Sequence, residues 1–240
     1  LQNNKTIFKM NSVYIYHHLG LGDHIIANGM VRTIAKQYEI VYLFCKPRNF
    51  KNVSFMYRDL DNLKIIVAED NTVKNFIKFN PNNNYIIAGH NSFQKIFDNP
   101  KNKLHIDEIF YKLANVSFEN KWDEFFIKRN LEREKELFNK LGLSVNEEYV
   151  FVHDKEDNKI IKEIPNIKII KPDNTDYLLF DFLYVIEHAK EIHCINSSFF
   201  CLIDCIKTIN SDKMCIHDYN LSDYSFKLMG KFRKCWKLIT

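Results

Sequence analysis

The sequence predicts an α/β protein built from two Rossmann-like halves whose mostly parallel sheets face a central cleft. Three observations predict it. Short apolar runs of strand length alternate with longer segments of helical periodicity, the rhythm of parallel strands joined by helical crossovers. That rhythm occurs twice, on either side of a polar and aromatic stretch at 115–128 that has no clear period. In each half one strand also runs into small residues at a helix start, Gly20-Leu21-Gly22 in the first and Ser197-Ser198 in the second.

The elements follow in order. Residues 12–17 (SVYIYH) form a β-rich run that ends in the glycine turn. From His24 to Gln37 the apolar residues Ile25, Ile26, Met30, Val31, Ile34 and Ala35 recur at helical spacing, with Asp23 placed as the expected N-cap. Residues 40–45 (IVYLFC) are continuously apolar, which suits a strand buried on both faces. Residues 63–68 and 85–88 read the same way, with helices expected at 73–79 and 106–114. After the crossover, 131–141 reads as a charged amphipathic helix closed by Gly142. Strands are then expected at 149–153, 167–170, 191–195 and 214–217, with helices at 180–190 and 198–207. The basic stretch 227–237, with Phe232 and Trp236 interleaved, reads as a returning amphipathic helix. The two domains are expected at 1–125 and 126–240.

Composition excludes several classes. The 240 residues are 46% hydrophobic and 27% charged, enough apolar material for a core and too little polarity for disorder. A net charge of +4 is too small to argue for nucleic acid. No apolar run reaches the roughly 18–20 residues of a membrane span, and residues 1–10 lack the shape of a signal peptide. The six cysteines are scattered without a C-x-x-C pair. Cys201 and Cys205, with His193 and His217 near them in sequence, read as buried thiols better than as a metal site. Free thiols point to a reducing compartment, so a cytoplasmic protein is expected. A chain that opens on Leu1 is compatible with a domain of a longer polypeptide.

Chemistry concentrates at three places. In His18-Leu19-Gly20-Leu21-Gly22-Asp23-His24 the glycines would let backbone approach a ligand closely. As a dinucleotide fingerprint this turn is defective: Ile25 replaces the third glycine, and the next strand ends Phe44-Cys45-Lys46 instead of in the acid that would hold a ribose. Asp23 at the helix mouth would repel a pyrophosphate, and a carboxylate there suits proton abstraction from a hydroxyl or simple capping. Ser197 and Ser198 serve as N-cap and first-turn residues, and their hydroxyls with the free helix N–H groups would suit a diphosphate. Asp59-Leu60-Asp61 offers alternating carboxylates of the kind that hold a divalent metal, in what reads as a loop before a strand, and no metal is expected there.

Strand-Gly-x-Gly-Asp-helix resembles the opening of GT-B glycosyltransferases, especially the bacterial heptosyltransferase type, whose Gly-Asp is matched by Gly22-Asp23. The segment Ile192 to Phe199 resembles that family's strand-Asp-Ser-Gly-helix donor segment, with Asn196 replacing the Asp and Ser198 the Gly. Val150 to Asp154 is similar to the strand-His segment of the fucosyltransferase-like branch, where Lys155 and Lys159 are the nearby cations that would stand in for an absent Arg. The resemblance implies an inverting, metal-independent transfer of a sugar from a nucleotide-sugar donor to a glycan or other hydroxyl acceptor. It places the acceptor in the first domain near His18, Gly20, Gly22 and Asp23, with Asp23, assisted or replaced by His24, as the base. It places the donor in the second domain near His153, Lys155, Lys159, Asn196, Ser197 and Ser198. Two other readings stay open: a nucleotide-dependent oxidoreductase using the glycine turn, and a Rossmann-like binding module without catalysis.

Overall fold

The computed structural model describes residues 10–99, 101–154, 160, 167–172, 176–209, 213–218 and 229–240. It forms two compact units, Leu1–Ile127 and Lys128–Thr240. The first contains β1 (Met10–Tyr16), α1 (Leu21–Ile26), α2 (Asn28–Ala35), β2 (Tyr38–Cys45), α3 (Phe50–Tyr57), β3 (Leu63–Val67), α4 (Asp70–Phe79), β4 (Tyr85–Ile87), α5 (Asn91–Phe97), α6 (Ile106–Leu113) and α7 (Asn120–Asp123). Its four described strands are parallel in the order β3-β2-β1-β4. Alternation along β1 sorts its side chains. Val13 and Ile15 are fully buried on one face, while Tyr14 and Tyr16 on the other pack with Phe44, Val73 and Phe76 beneath α4.

The second unit contains α8 (Leu131–Lys140), β5 (Tyr149–His153), β6 (Lys168–Ile170), α9 (Leu183–His188), β7 (Glu191–Ile195), α10 (Ser198–Cys205), β8 (Met214–His217) and β9 (Lys237–Ile239). These strands are also all parallel, in the order β6-β5-β7-β8-β9. Tyr149, Phe151, Val152 and Leu183 are fully buried there. Arg129 bridges α8 and α9 by pairing with Glu134 and, at 2.6 Å, with Glu187. Gly142 follows α8 at φ +63, the left-handed conformation that closes helices without a Cβ penalty.

Three expectations are corrected. The single helix expected from His24 to Gln37 is two, α1 and α2, divided at Ala27. The cause is Tyr111 of α6. Its hydroxyl donates to the Ile26 carbonyl at 3.0 Å and accepts the Met30 N–H at 3.0 Å, so it stands between two groups that a continuous helix would bond directly. Asp23 is not the N-cap of α1; Gly20 is, and Asp23 lies three residues further on, with its carboxylate accepting the Gly20 N–H at 3.2 Å. The described part of the basic C-terminal stretch is not an amphipathic helix. It runs through Trp236 into β9, which pairs with β8, because the buried carboxylate of Asp204 accepts the N–H groups of Arg233 and Lys234 and the Trp236 indole N–H.

Candidate functional site

In parallel sheets the loops at the carboxyl ends of the strands form a crevice where strand order reverses. In the first sheet that point lies between β1 and β4, and in the second between β5 and β7.

Beyond β1 the chain turns through His17-His18-Leu19-Gly20 into α1, and beyond β4 it passes Ala88 and Gly89 to His90. The two strand ends meet closely: a Cβ on Gly89 would lie 2.9 Å from the His18 nitrogen and 2.8 Å from its ring. His90 adopts φ 63, ψ −131, a region that non-glycine residues rarely enter. Its N–H donates to His18 Nε2 at 3.3 Å, and its ring stacks on Tyr16 at 4.3 Å between centroids.

Asp23 is half-buried at the start of α1. Burial pushes its carboxyl up to about 6, against the Gly20 N–H and the charge of Lys46, which both favour ionisation. The pose depends on Gly20, since a Cβ there would stand 2.6 Å from Asp23 Oδ2. Gly22 lies half-buried in the same turn. His24 points the other way: it is fully buried, packs edge-on against His17 at 4.5 Å, and neither ring nitrogen has a hydrogen-bond partner. Burial and the neighbouring His17 hold it well below the usual histidine range. His17, whose Nδ1 bonds the His18 carbonyl, is lowered to about 4 by burial, and so is the half-buried His18.

A second polar cluster adjoins this turn, and the sequence reading did not find it as a cluster. Asp70, the first residue of α4, accepts the Tyr16 hydroxyl at 3.1 Å, pairs with Lys46 Nζ at 2.5 Å and lies 3.4 Å from His90 Nε2. Although burial opposes it, Lys46, Tyr16 and His90 together keep the Asp70 carboxyl below its ordinary range. One carboxylate thus links groups from the carboxyl ends of β1, β2 and β4. The available signal was position: each partner follows or ends a readable strand. Which of them meet depends on strand order, and that is not local.

In the second unit, His153 ends β5 in register with Cys194 of β7, so the carboxyl ends of both strands lie side by side. The His153 ring packs on Phe199 at 4.8 Å. Beyond β7 come the exposed Asn196, then Ser197, which caps α10 by accepting the Phe200 N–H at 3.4 Å, and the half-buried Ser198. The structure therefore gathers His153, Asn196, Ser197 and Ser198 at one switch point. Lys155 and Lys159 lie outside the described residues. Asp59 is committed to a two-pronged pair with Arg32, both contacts at 2.8 Å, while Asp61 is exposed. Cys45, Cys194, Cys201 and Cys205 are buried, as expected of thiols packed in a core. Among the described residues no group of three or more His, Cys, Asp and Glu is arranged to hold a metal ion, and no helix is long and apolar enough to cross a membrane.

No protein-family model matches the chain, and no curated protein matches it in sequence. Solved structures do match. The chain is similar to a glycosyl transferase family 9 protein from Veillonella parvula, with a TM-score of 0.59 and 9% identity over 97% of this chain and 86% of that one. It is also similar to the ADP-heptose LPS heptosyltransferase II of E. coli, with a TM-score of 0.50 and 11% identity over 96% of this chain and 90% of that one. The fold is thus the α/β arrangement with two all-parallel sheets found in GT-B heptosyltransferases, the architecture that the sequence resemblance implied.

Proposed function

We propose that this chain is a glycosyltransferase of the heptosyltransferase kind, moving a sugar from a nucleotide-sugar donor to an acceptor hydroxyl with inversion and without a metal ion. The observation that carries the reading is Asp23. In a chain of this fold, a carboxyl with its proton affinity raised to about 6 stands in the glycine turn at the carboxyl edge of the first sheet. A base whose pKa lies near the working pH is both ionised and able to hold a proton.

In this reading residues 1–125 bind the acceptor and 126–240 the donor. Asp23 takes the proton of the acceptor hydroxyl as its oxygen bonds the anomeric carbon, and the bond from that carbon to the diphosphate breaks. His18, Gly20 and Gly22 line the acceptor side. His24, with its ring fully buried, supports the turn from beneath, which leaves the proton transfer to Asp23. The charge growing on the leaving diphosphate is met by the N-terminal amides of α10 and the hydroxyls of Ser197 and Ser198, with His153 and Asn196 beside them.

Asp23→Asn tests the assignment. An Asn oxygen still accepts the Gly20 N–H, so the fold should persist with a stability change of about 1 kcal/mol. An amide cannot take a proton, so turnover at saturating donor, measured with EDTA present, should fall about 10²–10⁴-fold. Wild-type turnover in this variant would remove Asp23 from catalysis.

A further inference from the structure

His90 holds a backbone conformation, φ 63 and ψ −131, that glycine enters freely and other residues enter only at a cost. A glycine would make the same turn without that cost, so the turn alone does not account for an imidazole. Packing returns little. The ring stacks on Tyr16, whose hydroxyl already bonds Asp70 and whose ring already meets the edge of Phe44. His90 Nε2 is buried 3.4 Å from Asp70 Oδ1 and makes no hydrogen bond, while 21% of the side chain stays exposed. Strain kept without a structural return is characteristic of a position that meets a ligand. On the other oxygen of Asp70, Lys46 Nζ is held at 2.5 Å with 20% of its side chain exposed. An ammonium has three hydrogens to donate, and Asp70 takes one. The His90 N–H bonds His18 Nε2 at 3.3 Å, which joins this cluster to the glycine turn. The geometry points to His90 and Lys46, both held by Asp70, as the pair that binds two neighbouring hydroxyls of a sugar acceptor. This rests on the transferase reading and on the acceptor side proposed above.

Tautomer and charge select the ligand. A carboxylate beside an imidazole favours the proton on the nitrogen that faces it, here Nε2, and Nδ1 is then left as an acceptor. One hydroxyl donates to Nδ1 while its neighbour accepts from the Lys46 ammonium, so adjacent hydroxyls satisfy both groups. A fully ionised phosphate has no proton to give Nδ1. Charge balance argues the same way. The Lys46 and Asp70 charges cancel, and burial lowers His90, so its ring is uncharged near neutrality. Glu69 and Lys74, at the start of α4, are exposed and of opposite sign. An anion arriving here would meet the Asp70 carboxylate without a net attraction to offset it, whereas an uncharged sugar loses nothing.

The site is read by NMR of protein isotope-labelled in its histidine rings, with His90→Gly identifying the His90 signals. Uncharged methyl hexopyranosides should shift those signals saturably, inorganic phosphate should not, and Lys46→Met should weaken the response to sugar. Phosphate that moves the His90 ring while the glycosides leave it unmoved overturns the proposal, and so does a ring that neither probe moves. Both His90→Gly and His90→Ala lose the ring, but only the glycine relieves the backbone, so the glycine variant should melt at the higher temperature. A glycine variant that melts below the alanine one removes the premise of strain. In steady-state transfer, His90→Gly and Lys46→Met should each raise the acceptor KM about twofold to tenfold, with kcat and nucleotide Kd near wild type. An effect confined to kcat or to nucleotide Kd overturns the assignment. Glycoside binding at His90 in a protein that transfers no sugar would overturn the transferase reading and leave the sugar site standing.

Discussion

At the scale of single residues, the three histidines of the glycine turn make the first unit sensitive to acid. Burial lowers His17 and His18 to about 4 in the folded chain, against 6.5 for an ordinary histidine, and holds His24 well below that ordinary value. The unfolded chain therefore binds the extra protons. Stability is complete above the unfolded value and is lost as pH falls from 6.5 towards 4. Asp23 works in the opposite direction, because its raised affinity favours the folded state as pH falls through about 6. One carboxylate offsets one proton, so acidification remains net destabilising. His24→Leu removes a buried imidazole with no hydrogen-bond partner, and at pH 7 it should leave stability unchanged or raise it by about 1 kcal/mol. Urea unfolding at pH 7 and pH 5 should show a smaller acid loss than in the wild type; an equal loss would mean that His24 is already protonated when folded. The sequence displayed His17, His18 and His24 plainly, but not that two of them are fully buried, because burial depends on α6 and other elements far along the chain.

At the scale of elements, the strands were legible and the breaks between helices were not. Residues 40–45 and 149–152 are continuous apolar runs because parallel strands are covered on both faces, and that pattern is local. The division of α1 from α2 was invisible, since the apolar spacing passes through Ala27 without interruption. It is imposed by Tyr111, which is 81 residues from Met30 in sequence. Tyr111→Phe should expose the mechanism. With the hydroxyl gone, the buried Ile26 carbonyl and Met30 N–H either stay unpaired, at a cost of about 1–3 kcal/mol, or close on each other and straighten the helix. A lower melting temperature with faster hydrogen exchange at Met30 indicates the first outcome. Unchanged stability with a protected Met30 amide indicates the second, whereas a variant that keeps the break at Ala27 without loss of stability would show that the hydroxyl is not what divides the helices. Asp23 was misplaced as well: Asp is a good N-cap by type, but α1 begins at Leu21, three residues before the expected start at His24, which leaves the cap to Gly20.

At the scale of the whole molecule, each unit is an all-parallel sheet with its own point of strand-order reversal, and the proposed function divides the two substrates between them. ADP, UDP or GDP should therefore slow hydrogen exchange at 153–154 and 195–200 in the second unit, while 17–24 and 89–90 in the first respond to acceptor. At a hundredfold excess over Kd the nucleotide should also stabilise the protein by roughly 2.7 kcal/mol. Protection by nucleotide at 17–24 alone would reverse the assignment of the two units. From the sequence by itself came the fold class, the doubled rhythm and the two small-residue turns, because strand length, helical period and turn chemistry are written within a few neighbouring residues. The tertiary structure alone decided which polar groups meet at the carboxyl end of β1. Lys46, Asp70 and His90 come from the ends of three different segments, and only the order β3-β2-β1-β4 brings them beside β1. Burial then raises the proton affinity of Asp23; side-chain burial and charge proximity are properties of packed distance, which sequence separation does not encode.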